Sequence, residues 1–472
     1  MTPPTVAIVG GGASGTLLAA QLLRRHHPRG VRVVLIERRP EVGRGVAYST
    51  PHEYHRLNVP AEQMGALPRD PRHFMRWASR NGHGVVVGDF APRGLFGEYL
   101  ESLLAEAERA AASSALLERL RGDVASAAVD ELRRRARLEL ASGEVVEADR
   151  VVLALGNLAP ADPPGADPQL LASGRYEADP WAAGLGERAA GDDLVLLLGT
   201  GLTMVDVALT LGKETFAPRL LAVSRKGLVP QSHRRGAALP PRRFHIRRER
   251  VRLDELVDEV ARELSDVRST GGDWRQVIDS MRPVTNQIWH RLSDTDRRRF
   301  VDRLSRRWDV HRHRMAPEVA TMLERLRRTH RLAMGRASVE GMRVAGDRVI
   351  VTLDRGERGV EELSVARVIN CTGPALDLRA AREPLLEGLL ATGAIRPGPL
   401  RLGLDHDSRA ALVDASGAAS RVLFGIGPMR KGRLWETTAI PEIRTQAFDL
   451  ADQISADLAR AAARGPELAL AG

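Results

Sequence analysis

Short apolar runs alternate along this chain with helical stretches, a pattern that predicts buried parallel strands joined by helices. Thr5–Val9 and residues 31–36 are apolar runs of strand length. Residues 14–26 between them are rich in Leu and Ala, and Glu37 ends the second run. These segments predict a βαβ unit at the start of the chain.

The same order recurs in the second half of the chain. Leu194–Leu198 is an apolar run, and a helix is predicted over about residues 203–211. In each half a hairpin and a further apolar strand follow, the latter at residues 151–155 and 365–370. This duplication predicts two domains of one kind, and the amphipathic spacing of about residues 250–336 predicts a helical insertion in the second.

The first half carries a G-x-G-x-x-G turn between its first strand and first helix. Glycines in this pattern permit a tight turn, close approach of the backbone to a pyrophosphate, and close packing of the helix on the strand. The helix N-terminus offers N–H groups to phosphates, and the acid at the end of the next strand suits a ribose diol. The candidate cofactor-binding residues here are Gly10, Gly12, Ser14, Gly15, Glu37 and Arg38. The alternative is a purely structural glycine turn.

A second glycine turn opens the second half, with Met204 in place of the third glycine. The strand that follows ends in Ser224, Arg225 and Lys226 rather than in an acid. Because a ribose 2′-phosphate favours cations, this turn is predicted to bind NADPH in preference to NADH. In the alternative, the two basic residues belong to a solvated turn. The candidate residues are Gly199, Gly201, Thr203, Arg225 and Lys226.

Composition narrows the class of protein. The 472 residues are 43% hydrophobic and 28% charged, as in ordinary globular proteins. No apolar run is long enough to span a bilayer, and the N-terminus enters a strand at once, so we expect a cytoplasmic protein without a membrane partner. The formal charge of +10 comes almost entirely from arginines scattered among acids. This distribution favours anionic cofactors and substrates over nucleic acid.

Other chemistries find little support in the sequence. Cys371 is the only cysteine, which excludes the redox-active cysteine pair of flavin disulfide reductases. No G-x-S-x-G nucleophile turn is present, and no metal site is predicted. His311 and His313 are two residues apart and so do not share a helix face, which argues against a metal pair. With Arg312 and Arg314 they form a candidate substrate- or anion-binding cluster, in which His311, Arg312 and His313 are the candidate substrate-binding residues, although a structural role suits them equally well.

Longer segments resemble the bacterial FAD/NAD(P)-binding proteins with two dinucleotide domains and, more distantly, the class B flavin monooxygenases and amine N-hydroxylases. The segments are residues 44–48, 55–61, 68–74, 93–100, 308–315 and 434–441. The resemblance implies that Gly427, Trp435 and Thr437 lie in segments that close over a flavin, and that Asn58 lies along the edge of flavin and substrate. The second glycine turn departs from the usual N-hydroxylase form, and no lysine or ornithine pocket can be identified.

Together these features predict an α/β fold with two Rossmann-like dinucleotide-binding domains in a glutathione-reductase-like arrangement. Residues 1–165 and 365–472 are expected to form a discontinuous FAD-binding domain, and residues 190–364 an NADPH-binding domain with its insertion at about 250–336. Gly156 and Gly373, which follow the last apolar strand of each half, complete the candidate cofactor-binding residues.

The leading hypothesis is an FAD-dependent, NADPH-using monooxygenase that N-hydroxylates an amine or amino acid through a peroxyflavin. Its partners are expected to be molecular oxygen and a small substrate, such as a carboxylate-bearing amine, and a homo-oligomer is compatible with the sequence. The alternatives are an NAD(P)H-dependent flavin reductase or dehydrogenase without oxygen insertion, and a non-catalytic redox sensor that retains FAD. No catalytic residue is assigned.

Overall fold

The computed structural model describes residues 2–111, 114–163, 165–182, 184–185, 191, 193–213, 217–236, 239–246 and 249–463. The chain divides into two compact units. Unit 1 consists of Met1–Glu53, Val59–Asn157 and Leu376–Gly472, and unit 2 of Tyr54–Asn58 and Leu158–Ala375.

The strands of the described chain, in order, are β1 (Thr5–Val9), β2 (Val31–Glu37), β3 (Ala115–Arg121), β4 (Val124–Asp130), β5 (Arg135–Leu140), β6 (Val145–Ala148), β7 (Arg150–Leu153), β8 (Tyr176–Glu177), β9 (Leu194–Leu198), β10 (Arg219–Ser224), β11 (Leu332–Arg336), β12 (Ser338–Ala345), β13 (Arg348–Asp354), β14 (Val360–Val365), β15 (Arg367–Asn370), β16 (Ala411–Val413) and β17 (Ala419–Gly425).

The α-helices are α1 (Ala13–Leu23), α2 (Gly45–Tyr48), α3 (His73–Arg80), α4 (Arg93–Ala110), α5 (Pro168–Ala172), α6 (Leu202–Gly212), α7 (Leu253–Ser269), α8 (Trp274–Met281), α9 (Thr285–Arg291), α10 (Asp294–Arg299), α11 (Ser305–Arg312), α12 (Pro317–Arg328), α13 (Pro384–Ala391) and α14 (Ile440–Ala463). Short 3₁₀ turns occur at Ala61–Gln63, Arg282–Val284, Gly356–Arg358, Leu378–Ala380, Pro399–Arg401 and Gly427–Arg430, and Phe300–Leu304 is a π-helical turn.

Unit 1 is built on a six-stranded sheet in the order β16-β17-β7-β1-β2-β3. Its neighbouring strands are parallel except for the pair β16 and β17. Every residue of β1 is buried, as expected for a central strand covered on both faces. On one face, α1 is tied to α14 by Arg25, whose guanidinium donates to the Asp452 carboxylate over 2.7 Å and to the Phe448 carbonyl over 2.8 Å.

Unit 2 is built on a five-stranded parallel sheet in the order β11-β10-β9-β15-β8. The arrangement β15-β9-β10-β11 repeats β7-β1-β2-β3 of unit 1. In each unit a three-stranded antiparallel sheet comes just before the equivalent strand, β7 in unit 1 and β15 in unit 2. These sheets are β4-β5-β6 and β12-β13-β14. The predicted fold class, α/β with two Rossmann-like units, is confirmed.

Two predicted elements differ in detail. Residues 365–370 were predicted as one strand, but the chain changes sheets at Ala366, whose N–H donates to the Leu194 carbonyl over 2.8 Å. Val365 therefore ends β14 and Arg367 begins β15. The helical insertion, predicted to reach about residue 336, ends with α12 at Arg328, because Leu332–Arg336 pairs in parallel with β10.

The boundaries between the units also differ from those predicted. Residues 158–165 and 365–375 lie in unit 2 rather than unit 1. Hydrogen bonds join these two stretches of chain. The Asn370 side-chain amide donates to the Ala161 carbonyl over 2.9 Å, and the Ala375 N–H donates to the Ala159 carbonyl over 3.3 Å. Within the described ranges, no helix is both long and apolar enough to cross a bilayer.

Candidate dinucleotide-binding sites

The first glycine turn lies at the carboxyl edge of the unit 1 sheet. Gly10 has φ +104°, and its N–H donates to the Ile36 carbonyl over 2.9 Å. A Cβ at Gly10 would lie 2.5 Å from the Ala154 carbonyl oxygen, so only glycine fits between β1 and the end of β7. The turn therefore sits where ligands bind in parallel α/β sheets.

The helix that follows this turn begins without a side-chain cap. Gly12 is the N-cap of α1, and no side chain bonds to the first N–H groups of the helix there. Ser14 is buried in the first turn. Such an uncapped N-terminus provides N–H donors and a positive dipole end for a phosphate, which fits the pyrophosphate of a dinucleotide.

Glu37 lies beside the turn, at the end of β2. It is 8% exposed, and its two carboxylate oxygens accept the N–H groups of Gly11 over 2.7 Å and of Arg39 over 2.9 Å. Each carboxylate oxygen can accept a second hydrogen bond, which leaves capacity for ribose hydroxyls. Arg38 is instead engaged by Glu383, with a 3.1 Å ion pair.

A second loop of unit 1 packs against the start of α1. A Cβ added at Gly427 would lie 2.6 Å from the Ser14 hydroxyl. The loop is held by a closed buried network: the Thr437 hydroxyl donates to the Gly427 carbonyl over 2.9 Å. Gln446 donates to Thr437 over 2.8 Å and accepts the Gly427 N–H over 3.0 Å. The structure thus brings Gly427 and Thr437 to the first glycine turn.

Trp435 precedes this network and is also buried, at 5% exposure. The Lys431 ammonium lies 4.0 Å from the centre of its ring and donates to the Trp435 carbonyl over 3.2 Å. This cation–π contact fixes the segment from within unit 1. Gly156, with φ +67°, lies just beyond β7 at the same edge of the sheet.

The second glycine turn repeats the geometry of the first in unit 2. Gly199 has φ +107°, and its N–H donates to the Val223 carbonyl over 2.7 Å. Gly201 is the N-cap of α6, again without a side-chain cap, and Thr203 lies in the first turn. A Cβ at Gly201 would meet no atom within 4 Å, so this side of the turn is open to a ligand. Gly373, with φ +88°, follows β15 as Gly156 follows β7.

The basic residues after β10 differ in their surroundings. Lys226 donates to the carbonyls of Asp302 and Arg303 over 3.3 and 3.4 Å. Arg225 is exposed and makes no hydrogen bond or ion pair with the part of the chain that the structure describes. Of the two, Arg225 is the better placed to bind a phosphate.

A cationic cluster lies elsewhere in unit 2. His311 contacts the Trp274 ring edge-on, with ring centres 4.9 Å apart, and Arg312 is buried at the end of α11. The Nε2 atom of His233 donates to the Asn58 carbonyl over 3.0 Å. Burial and the nearby Arg314 guanidinium lower the pKa of His233 to about 3, so this imidazole is neutral at pH 7. His313 directly follows Arg312 in the chain and is the C-cap of α11.

Sequence reasoning found only part of this cluster. It singled out the run from His311 to Arg314, with His311, Arg312 and His313 as the candidate substrate-binding residues, but missed His233. His233 comes from a distant loop that only the fold brings here. Nowhere in the described ranges do three or more His, Cys, Asp or Glu side chains form a group able to hold a metal ion.

Comparison with known proteins agrees with these observations. Residues 7–158 match a family model described as FAD-NAD(P)-binding. Ornithine N-hydroxylase from Kutzneria sp. 744, solved with reduced FAD, NADP+ and L-ornithine, superimposes with a TM-score of 0.63 at 15% identity, over 97% of this chain and 99% of that chain. The chain has the fold of an N-hydroxylase. No curated protein sequence matches it.

The N-hydroxylase fold extends to other solved structures. L-lysine 6-monooxygenase from Pseudomonas syringae superimposes with a TM-score of 0.59 at 17% identity, over 98% of this chain and 100% of that chain. Bacillithiol disulfide reductase from Staphylococcus aureus gives 0.53 at 12% identity, over 97% and 99%. At these identities the likeness shows a shared fold, within which chemistry has diverged.

Proposed function

We propose that this protein is an FAD-dependent, NADPH-using monooxygenase that N-hydroxylates a small amine or amino acid. The observation that carries the proposal is the pair of glycine turns, each leading into an uncapped helix, in a chain with the N-hydroxylase fold. The acid Glu37 beside the first turn and the exposed Arg225 beyond the second support a proposal that unit 1 binds FAD and unit 2 binds NADPH.

The proposed roles follow from the contacts. The N–H groups around Gly12 and Ser14 would bind the FAD pyrophosphate, and Glu37 would accept the ribose hydroxyls. The network of Gly427, Thr437 and Gln446 would hold the covering loop in place. Bound FAD would supply hydride acceptance from NADPH and activation of oxygen. In the overall reaction, one amine, one NADPH, one proton and one oxygen molecule give one hydroxylamine, one NADP+ and one water.

An amine is the proposed substrate group because the similar structures carry the names of ornithine, lysine and cadaverine hydroxylases or monooxygenases. These substrates share a primary amine at the end of an aliphatic chain. Ornithine and lysine also carry a carboxylate, which suits a protein rich in arginine.

The proposal is tested by mixing the FAD-loaded protein with NADPH, oxygen and a panel of diamines and amino acids. One amine is expected to accelerate NADPH oxidation and to yield hydroxylamine in proportion to the NADPH consumed. Arg225→Gln is expected to raise the KM for NADPH but not for NADH, while Arg219→Gln, at the opposite end of β10, changes neither. Absence of hydroxylamine with every amine would count against the proposal.

A second candidate is a flavin reductase that does not insert oxygen. It is supported by the likeness to bacillithiol disulfide reductase from Staphylococcus aureus. Cys371 does not suit thiol chemistry, since it is 2% exposed, and burial, with the neighbouring Asp206 carboxylate second, raises the pKa of its thiol. NADPH-dependent reduction of a quinone or disulfide at a rate that no amine affects would favour this candidate.

A further inference from the structure

Unit 2 contains a group of cations that neither glycine turn uses. We call His233, Trp274, Arg275, Arg312 and Arg314 the Arg314 cluster. The guanidinium carbon of Arg275 lies 4.4 Å from the centre of the Trp274 ring, and that of Arg314 lies 5.9 Å from it. Two guanidinium groups are thus held around one indole, and Arg312 and His233 lie close enough to Arg314 to interact with it electrostatically.

Arg314 is the centre of this cluster and is incompletely bonded. Its side chain is 4% exposed, and its Nη2 atom donates to the Asp279 carboxylate over 2.5 Å. Its Nε and Nη1 atoms are buried and have no hydrogen-bond partner among the described residues. Buried guanidinium donors are normally satisfied, because a buried unsatisfied polar group is costly.

Two further guanidinium groups lie near Arg314. Arg275 is fully engaged: it pairs with Asp273 over 3.0 Å and donates twice to the Ser232 carbonyl. Burial lowers the pKa of Arg314, and the charges of Arg312 and Arg275 lower it further. The Asp279 carboxylate opposes this effect, but its side chain is 52% exposed and its charge is therefore screened by solvent.

We propose that the Arg314 cluster binds a small oxyanion, a carboxylate or a phosphate, through the unused N–H groups of Arg314. An oxyanion would satisfy the buried donors of Arg314 with charge-assisted hydrogen bonds. The arginines also act on His233, whose lowered pKa leaves it uncharged at pH 7. His233 therefore adds no positive charge to the cluster. If the proposed function holds, the natural occupant would be the acid group of the amine substrate.

The test uses the full-length FAD-loaded protein without NADPH or amine, so its outcome is independent of any oxidation reaction. Binding of inorganic phosphate and of succinate is measured by calorimetry and by thermal unfolding at constant ionic strength, with chloride as the reference anion. Saturable binding of one or both is expected. A preference for succinate would indicate a carboxylate ligand, and a preference for phosphate a phosphorylated one.

Two variants locate the binding at Arg314. Arg314→Lys keeps the charge but loses the guanidinium donors, and we expect it to weaken binding by about tenfold or more. The matched control is Arg242→Lys, since Arg242 is also partly buried and paired with one acid, Glu263, over 2.8 Å. Asp279→Asn removes the carboxylate that competes for Arg314 and should tighten binding several-fold.

Asp279 is half exposed, so its variant is expected to fold even if Arg314→Lys does not. The proposal is overturned if phosphate and succinate stabilise the protein no more than chloride does. It is equally overturned if Arg314→Lys binds as tightly as wild type, or if Asp279→Asn fails to tighten binding. Water molecules would then be the partners of the buried Arg314 donors.

Discussion

The two glycines of the second turn differ in the space that a Cβ atom would find. This difference distinguishes a glycine that the fold requires from one that a ligand would need. A Cβ at Gly199 would collide with the Cys371 carbonyl oxygen, and φ at Gly199 is +107°, a conformation that disfavours side chains. Gly201 has φ −83°, and a Cβ there would meet nothing within 4 Å. The first glycine therefore serves the fold, and the second leaves room for a ligand.

Alanine at these positions should have opposite effects. Gly201→Ala is expected to cost at most about 1 kcal/mol of stability, as an N-cap change, yet to weaken NADPH binding on the order of tenfold by occupying the phosphate approach. Gly199→Ala should destabilise unit 2 by about 1–3 kcal/mol. Thermal unfolding and NADPH titration measure the two effects. Unchanged NADPH affinity in Gly201→Ala would contradict the assignment of the site.

At the residue scale, the sequence predicted those positions whose roles follow from backbone geometry. Gly10 and Gly199 were found because the turn admits no other residue, and Glu37 because it ends a strand next to the turn. Arg38 was placed at the cofactor by sequence proximity alone, but it pairs with Glu383, more than three hundred residues away. His233 was missed because long-range packing, rather than a local motif, brings it to Arg314.

At the element scale, the loop at Gly427 depends on hydrogen bonds to Thr437, which precedes α14, and to Gln446 within α14. Thr437 is completely buried, and its hydroxyl links Gly427 to Gln446. Thr437→Val removes this hydroxyl at nearly constant volume and leaves two buried polar groups without their partner. We expect a loss of about 1–3 kcal/mol in the stability of unit 1 and faster release of FAD.

Thr445→Val is the matched control for this prediction. Thr445 is an exposed threonine within α14, and its hydroxyl donates to the Pro441 carbonyl one turn earlier. It should leave both thermal unfolding and flavin release, followed by fluorescence, close to wild type. Equal FAD release in the two variants would show that the loop does not hold the flavin.

Element types were easier to predict than the points where the chain changes direction. Apolar runs identified β1, β2 and β9, because strands buried on both faces are apolar throughout. The change of sheet at Ala366 lies inside one apolar run and has no hydrophobic signature. Leu332–Arg336 was counted with the helical insertion because its pairing with β10 depends on residues a hundred positions earlier.

At the scale of the whole molecule, the net charge of +10 is carried by arginines of which many form ion pairs with acids. Arginines pair with acids across its surface, as in Arg119 with Glu108 over 2.6 Å and Arg299 with Asp254 over 2.7 Å. Because the arginines are interspersed with acids, we predict no measurable retention of double-stranded DNA at 0.15 M salt, by gel shift or fluorescence anisotropy. Sequence-independent binding at that salt concentration would refute this reading of the charge.

The divided course of unit 1 has a consequence for synthesis on the ribosome. All of unit 2 has been synthesised once Ala375 has left the ribosome. In unit 1, by contrast, β7 can pair with β17, and α1 can pack against α14, only after the C-terminal segment has been made. At about 5–20 residues per second, the intervening stretch up to the end of α14 takes on the order of ten seconds to translate. The domain that begins first is therefore finished last. FAD is expected to load only after translation has passed α14, and nascent chains stalled before that helix should carry none.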